Sequence, residues 1–391
     1  MRNVRRGAFL VITAVAALVA LPAAAAVKIG LVTTLSGPGA APGQDQHDGF
    51  MLAVDLQGGK LGGVPVEVIK KDDQLKPDVG AQIAQELIEK DKVDLVTGVV
   101  FSNVMMAMYK KVIDSETIFV GSNAGPSPIA GAMCSPYFFS TSWANDSLHE
   151  NAGEIANLKG YKKMYLMAPN YQAGKDGLAG FKRLYKGEVI DEVYTQMQQP
   201  DYSAEIAQLR AAKPEAVYVF YPGSMGVNFV KQYAQAGLIG KIPLLTTATI
   251  DTTTLPGIGD VAIGAFTASP FEAGLDNPAA KKFSADFYAK YKRYPSFYAA
   301  QSYDAAILIG SALQKTKGNV ADKKAMMAAL KEADFQSVRG DFKFDNNQFP
   351  VTDWYMWEVV KDPSDGHLGF AFRGKTLTAH RDAYHDKCPM P

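Results

Sequence analysis

Residues 28–59 read KIGLVTTLSGPGAAPGQDQHDGFMLAVDLQGG, and this stretch decides the architecture. Lys28 to Thr34 is a short β-rich apolar run, and Asp45 to Gln57 is an amphipathic segment of helical length. Gly58-Gly59 then supplies the stop that glycines give at helix C-termini. The same strand–helix unit recurs. Further strands are expected at Val64 to Lys70, Asp94 to Val100, Thr117 to Ser122, Lys163 to Ala168, Ala216 to Tyr221, Pro243 to Thr247 and Gly264 to Ala268. Helices are expected at Asp78 to Lys90, Val104 to Asp114, Ser147 to Lys159, Asp176 to Tyr185, Ser203 to Ala212, Met225 to Ala236, Pro278 to Tyr291 and Tyr298 to Lys315. Such alternation argues for an α/β chain with parallel sheets covered on both faces. It is too long for one sheet. A run to about residue 143 and another from about 147 to 268 form two units, completed by the later helices and the aromatic strand Trp354 to Val360. The expected product is two lobes with a cleft at the carboxyl ends of the strands.

Composition agrees. The chain has 391 residues, ample for two domains, and 40 Lys+Arg against 40 Asp+Glu. That balance gives no electrostatic case for nucleic acid or an anionic membrane as partner. Abundant aromatics, 20 Phe and 18 Tyr, argue against disorder. At the N-terminus, Arg2, Arg5 and Arg6 precede the apolar stretch Ala8 to Leu21 and the small residues Ala24-Ala25-Ala26. Residues 1–26 therefore read as a cleaved secretory signal, with Val27 the first mature residue. A membrane anchor would need roughly 20 apolar residues and no cleavage site. Export favours pairing the two cysteines, Cys134 and Cys388, in a bridge that pins the C-terminal tail to the body.

Enzyme signatures are weak. Gly37-Pro38-Gly39 with Gly43 follows a strand, but the spacing is not that of a dinucleotide loop. No phosphate-loop, HExxH or GxSxG pattern occurs. His380, His385, Asp386 and Cys388 read as a solvated tail rather than a metal site, and Asp345-Asn346-Asn347 as a turn rather than a calcium loop. No cofactor is expected. What remains are loops at strand ends. Phe101-Ser102-Asn103 opens a helix and suits a carboxylate through a hydroxyl and free N–H groups; Ser122-Asn123-Ala124-Gly125-Pro126-Ser127 is of the same kind. Plain helix capping is the alternative for either loop.

At these residues the chain resembles the periplasmic solute receptors of ABC transporters of the leucine/isoleucine/valine-binding group. The matching pieces are Ile29-Gly30-Leu31 with Leu35-Ser36-Gly37-Pro38, Asp72-Asp73, Gly98 to Ser102, Cys134-Ser135-Pro136-Tyr137, Asn170-Tyr171 with Gly174, Asp201-Tyr202-Ser203 and Gly310. The resemblance implies a two-lobed type I periplasmic binding protein: each lobe a parallel sheet flanked by helices, with three hinge crossovers, and a monomer. By that pattern residues 27–144 and 273–349 make lobe 1, and 145–272 and 350–391 lobe 2. It also implies partners: a membrane permease and its ATPase.

In amino-acid members of that group, a Ser and a Thr after lobe 1 strands hold the ligand carboxylate, and a Tyr and a Glu in lobe 2 hold the ammonium. Aligned here, the first pair falls on Ser102 and Gly125, which offers only its backbone N–H, and the second on Ala173 and Ala248. The carboxylate half is kept and the ammonium half lost. The expected ligand is therefore an acid without the amine, benzoate-like or hydroxycinnamate-like. Phe101, Tyr171, Phe220, Tyr221 and Phe297-Tyr298 are its candidate walls, and Asn123, Thr247, Thr249 or Asp251 candidate partners for a ring hydroxyl. Other readings share the fold: a branched-chain amino acid receptor, a sensor feeding a membrane signalling protein, or an exported enzyme using the same cleft.

Overall fold

In the computed structural model, which describes residues 26–363 and 366–390, Val27–Thr33 is strand β1, inside a first sheet. The segment expected to be an export signal lies, Ala26 excepted, outside the described residues. The sheet continues with β2 (Lys60–Leu61), β3 (Val64–Asp72), β4 (Leu95–Gly98), β5 (Ile118–Gly121) and β6 (Phe138–Ser140), in the order β2-β3-β1-β4-β5-β6. All its pairings are parallel except the short β2–β3 hairpin. A second sheet holds β7 (Lys163–Pro169), β8 (Glu188–Thr195), β9 (Ala216–Val219), β10 (Leu244–Thr246) and β11 (Phe266–Ser269), running parallel in the order β8-β7-β9-β10-β11. Three antiparallel strands extend it: β12 (Lys343–Phe344), β13 (Pro350–Lys361) and β14 (Leu368–His380), with β13 between β11 and β14.

The helices are α1 (Ala40–Leu56), α2 (Pro77–Gln85), α3 (Ser102–Asp114), α4 (Ser127–Ala130), α5 (Asn145–Leu158), α6 (Gln172–Leu184), α7 (Ser203–Ala212), α8 (Ser224–Gln235), α9 (Leu255–Ile258), α10 (Pro278–Tyr291), α11 (Phe297–Lys315) and α12 (Lys323–Lys331). The late helices return to the first sheet. Leu308, Ile309 and Leu313 of α11 share a core with Ile29 and Leu31 of β1 and Phe50 of α1. The chain thus crosses between the sheets at 141–144 and at 270–277. It crosses again along β13, whose first residues pair with β12 while Tyr355 to Glu358 pair with β11.

Buried runs such as IFVG of β5 and AVYV of β9 form where their apolar patterns lead one to expect. Two strands, β8 and β14, escape that pattern. They lie at the margins of the sheet and carry exposed Glu188, Asp191, Arg373 and Lys375, so no continuous apolar run marks them. Helix α6 starts at Gln172, ahead of the expected Asp176. Its Gly174, Gly177 and Gly180 are contact points rather than breakers. A Cβ there would lie 1.9 Å from the Pro169 carbonyl, 2.7 Å from the His149 ring and 2.5 Å from the Asp146 carbonyl, so α5 and α6 cross closely.

Cys134 and Cys388 form a disulfide, with Cα atoms 5.6 Å apart. The tail it holds touches both units. Asn347 Nδ2 donates to Asp382 Oδ2 (2.9 Å) and Asn346 Nδ2 to the His385 carbonyl (2.9 Å), while the Tyr384 hydroxyl donates to Asp146 of α5 (2.8 Å).

Candidate ligand-binding site

In each parallel sheet the strand order reverses beside the first strand, β1 or β7, and loops at the carboxyl ends of the neighbouring strands face one another across a cavity. Its volume is ≈ 30 Å³, well below the roughly 300–1,000 Å³ usual for open ligand sites, so in this conformation the two units are closed down on it. From the first sheet come Val100, Phe101 and Ser102 after β4, and Asn123 after β5. From the second come Tyr171 and Ala173 after β7, Phe220 and Pro222 after β9, and Ala248 after β10. The first crossing and α5 add Trp143, Asn145, Leu148 and His149, and α11 adds Tyr298. This lining has no Lys, Arg, Asp or Glu.

Polar contacts set what each group can still do. Asn145 Nδ2 donates to Ser102 Oγ (3.1 Å) and to Asp176 Oδ2 (2.9 Å). Ser102 Oγ therefore receives a proton from the protein and keeps its own for a ligand. Ser102 also begins α3, whose N-cap, Phe101, makes no side-chain cap, and α6 opens from the opposite unit behind the equally uncapped Tyr171. The first N–H groups of such helices have no intrahelical acceptor and carry the positive end of the dipole. Donors thus converge on an uncharged cavity, an arrangement suited to a small anion.

The walls are aromatic. Tyr171 and Phe220 lie nearly parallel, with centroids 6.3 Å apart and 12° between planes, and His149 meets Phe220 edge-on at 4.7 Å. Burial pushes the Tyr171 and Tyr298 phenols well above their usual range, so both stay protonated.

Of the residues expected at the site, Phe101, Ser102, Asn123, Tyr171, Phe220 and Tyr298 line the cavity; Gly125, Tyr221, Thr247, Thr249, Asp251 and Phe297 do not. The Gly125 N–H is not on offer, because it donates to Asn145 Oδ1 (3.1 Å). A Cβ at Gly125 would sit 1.8 Å from the Trp143 carbonyl, so the first crossing fills that space. Tyr221 points into a ring cluster with Tyr202 and Phe229, its hydroxyl at 3.2 Å from Thr195 Oγ1. Thr249 Oγ1 takes the Tyr221 N–H (2.7 Å), and Phe297 packs against Trp143 and Tyr298. Asn123 lines the cavity, but its amide is engaged with the Val100 carbonyl (2.6 Å) and Gln301 (2.5 Å). Sequence reasoning missed Trp143, Asn145 and His149, which lie on the crossing and its helix rather than after a strand.

Tyr298 lies within electrostatic reach of Asp45 and Asp251. Asp251 Oδ1 accepts from Thr253 N (2.6 Å) and Thr254 N (3.2 Å), while its Oδ2 and Glu272 Oε1 have no partner. Burial raises Asp251 to about 6, with the nearby Asp45 charge adding to the rise, and burial followed by Asp251 raises Glu272 well above the usual carboxylate range. A raised folded-state value means stability that is full in acid and is lost as pH rises through about 6. For Asp251 the change is about 3 kcal/mol at most, by order of magnitude. Melting followed from pH 4.5 to 7.5 should show this fall, and Asp251→Asn should flatten it and be the more stable protein at pH 7.5. An unchanged pH profile in the variant would remove Asp251 as its source.

The fold and this cavity, lying between the carboxyl ends of two α/β sheets, are those of the class of solute-binding proteins. Residues 26–366 match the family model for periplasmic binding proteins, and the chain belongs to that family, that of the exported solute-binding proteins of ABC transporters. It is 28% identical over 346 residues to a Leu/Ile/Val-binding protein homolog 6 of Brucella melitensis, spanning 86% of this chain and 88% of that protein. It is also similar to the solved structure of an ABC-transporter solute-binding protein from R. palustris in complex with benzoate, with a TM-score of 0.88 and 32% identity, covering 94% of this chain and 100% of that one. A further solute-binding protein, from Rhodopseudomonas palustris BisB5 in complex with 3,4-dihydroxybenzoic acid, matches with a TM-score of 0.85 and 30% identity, covering 92% and 99%.

Proposed function

We propose that this protein is the periplasmic receptor of an ABC importer for an aromatic monocarboxylate. The lobes, 27–144 with 273–349 and 145–272 with 350–391, close on the ligand by hinge motion and present it to a membrane permease and its ATPase. The observation that carries the ligand reading is the charge-free cavity: a free Ser102 hydroxyl and two uncapped helix N-termini face the carboxylate, and aromatic rings line the rest. Ala173 and Ala248 stand in the wall where an amino-acid receptor needs an acceptor and an acid. A buried ammonium without either costs several kcal/mol in order of magnitude, enough to reject an α-amino acid. The benzoate and dihydroxybenzoate held by the two solved relatives support the same class. Chemistry on the ligand is not part of the proposal, because the lining holds no acid–base pair or nucleophile set.

A thermal-shift panel on ligand-stripped protein tests this, with benzoate, hydroxybenzoates, hydroxycinnamates, leucine and isoleucine. A ligand at ~100 times its Kd adds about 2.7 kcal/mol. Aromatic acids should raise the midpoint and leucine should not. A shift with leucine alone would overturn the proposal in favour of a branched-chain amino acid receptor, the reading that the names of the Brucella relatives favour. Ser102→Ala should weaken binding of every acid in the panel by about 1–3 kcal/mol. Unchanged affinity would take Ser102 out of the site.

A further inference from the structure

His149 is the one ionisable ring nitrogen pair in the cavity wall, and its place in the carboxylate reading is unassigned. The ring is wholly buried and held on three sides. Gly177 of α6 leaves just enough room for it, Phe220 meets it edge-on, and Nδ1 is hydrogen-bonded to the Tyr218 hydroxyl. Burial holds the imidazole down to about 3, so it is uncharged at neutral pH.

The tautomer follows from the hydrogen bonds. Tyr218 is buried in the core and its hydroxyl remains protonated, burial having raised it far above its ordinary range. Its oxygen meets the Thr247 side chain, which donates to it and so favours the phenolate, and His149 Nδ1; the phenol proton is therefore directed to Nδ1, which accepts. The imidazole proton then sits on Nε2. Among the described residues His149 is hydrogen-bonded through Nδ1 and not through Nε2, and it borders the open space. A fixed, uncharged N–H donor thus belongs to a residue of the cavity wall.

Its distance from the carboxylate end is set by helix geometry. Asn145, which holds Ser102, and His149 are four residues apart on α5, one turn or about 6 Å along the axis. That is close to the length separating the carboxylate of a benzoate from a substituent across the ring. Tyr171 and Tyr298 border the same space, and their hydroxyl oxygens can accept a phenolic proton.

We propose that His149 Nε2–H is the donor that reads an oxygen substituent on the ligand ring, so that the site prefers ring-oxygenated aromatic acids to unsubstituted ones. This rests on the aromatic-carboxylate reading and deepens it. The role is one of specificity, with a neutral donor that leaves the carboxylate end untouched.

The test is calorimetric binding of benzoate, 3-hydroxybenzoate and 4-hydroxybenzoate to the unmutated protein and to His149→Asn, which keeps a partner for Tyr218 and withdraws the cavity donor. The unmutated protein should bind one hydroxybenzoate about tenfold more tightly than benzoate, the worth of one hydrogen bond. His149→Asn should bring the ratio of hydroxybenzoate to benzoate affinity close to one. His149→Gln, which places an amide near the Nε2 position, should restore part of it. Equal weakening of all three acids would put His149 at the carboxylate or in a purely structural role and overturn the proposal. If none of the three binds the unmutated protein, the aromatic-acid reading itself has failed, and this inference with it. A readout independent of any variant is the 15N-histidine spectrum. The Nε2–H signal should be present and move with the preferred hydroxybenzoate more than with benzoate, and a proton found on Nδ1 instead refutes the assignment.

Discussion

Arg339→Ala is expected to cost about 3–5 kcal/mol of folding stability, the usual penalty for removing one partner of a buried ion pair. The guanidinium is 2% exposed and its partner Asp304, on α11, is fully buried. Nε donates to Asp304 Oδ2 (3.0 Å), Nη1 to the Ser142 carbonyl (3.1 Å), and Nη2 to the Thr141 carbonyl. One side chain thus fastens the first crossing between the sheets to a helix of the first unit. Its loss would leave two hinge carbonyls without their donor and a carboxylate without its cation. Ser337 Oγ (2.6 Å) and Val338 N (3.0 Å) would remain as donors to Asp304. Burial already raises the Asp304 carboxyl even with Arg339 beside it, so in the variant it would take up a proton. The variant's deficit should therefore shrink as pH falls. Urea unfolding at pH 7.5 and pH 5 measures both effects; a loss under about 1 kcal/mol at either pH would show that the pair is worth no more than a surface one. Arg339→Lys, which keeps charge without the planar fork, should fall between.

The second large effect is reduction of Cys134–Cys388. The two residues are 254 apart in sequence, and a cross-link over so long a loop removes much of the unfolded chain's freedom. By the chain-entropy account the contribution is about 5 kcal/mol, and measured native bridges usually give about 2–5. Cys134→Ser with Cys388→Ser should lower the urea midpoint accordingly and release the tail from its contacts with Asn346, Asn347 and Asp146. Ligand affinity should change far less, because no cavity residue belongs to the tail. Coincident unfolding curves for the oxidised and double-serine proteins would assign the bridge no stabilising part.

Much of this was legible in residues that answer to one local rule. β1, β5, β7 and β9 are buried on both faces and spell apolar runs; Ser102 and Tyr171 stand directly after strands, where open α/β sheets place their ligands. The illegible parts depend on packing between distant segments. The first turn of α6, with Gly174, lies ahead of the expected helix start, and its glycines make sense only once β7 and α5 are laid against them. Thr249 looks like a ligand group until the Tyr221 N–H is found on its hydroxyl. Asn145 and His149 carry no motif, and only the course of the first crossing brings them beside Ser102 and Phe220.

The meeting of Gly125 with the Trp143 carbonyl bears on how this receptor could change its diet. The resemblance to amino-acid receptors aligns a threonine with that place, and one substitution, Gly125→Thr, would supply it. Here the new side chain would arrive 1.8 Å from a main-chain oxygen that belongs to the hinge. The substitution cannot be accommodated until the first crossing itself is rebuilt. Variation at this position is thus tied to the path of the chain between the sheets, and a larger side chain there has to wait for a change in residues 141–144.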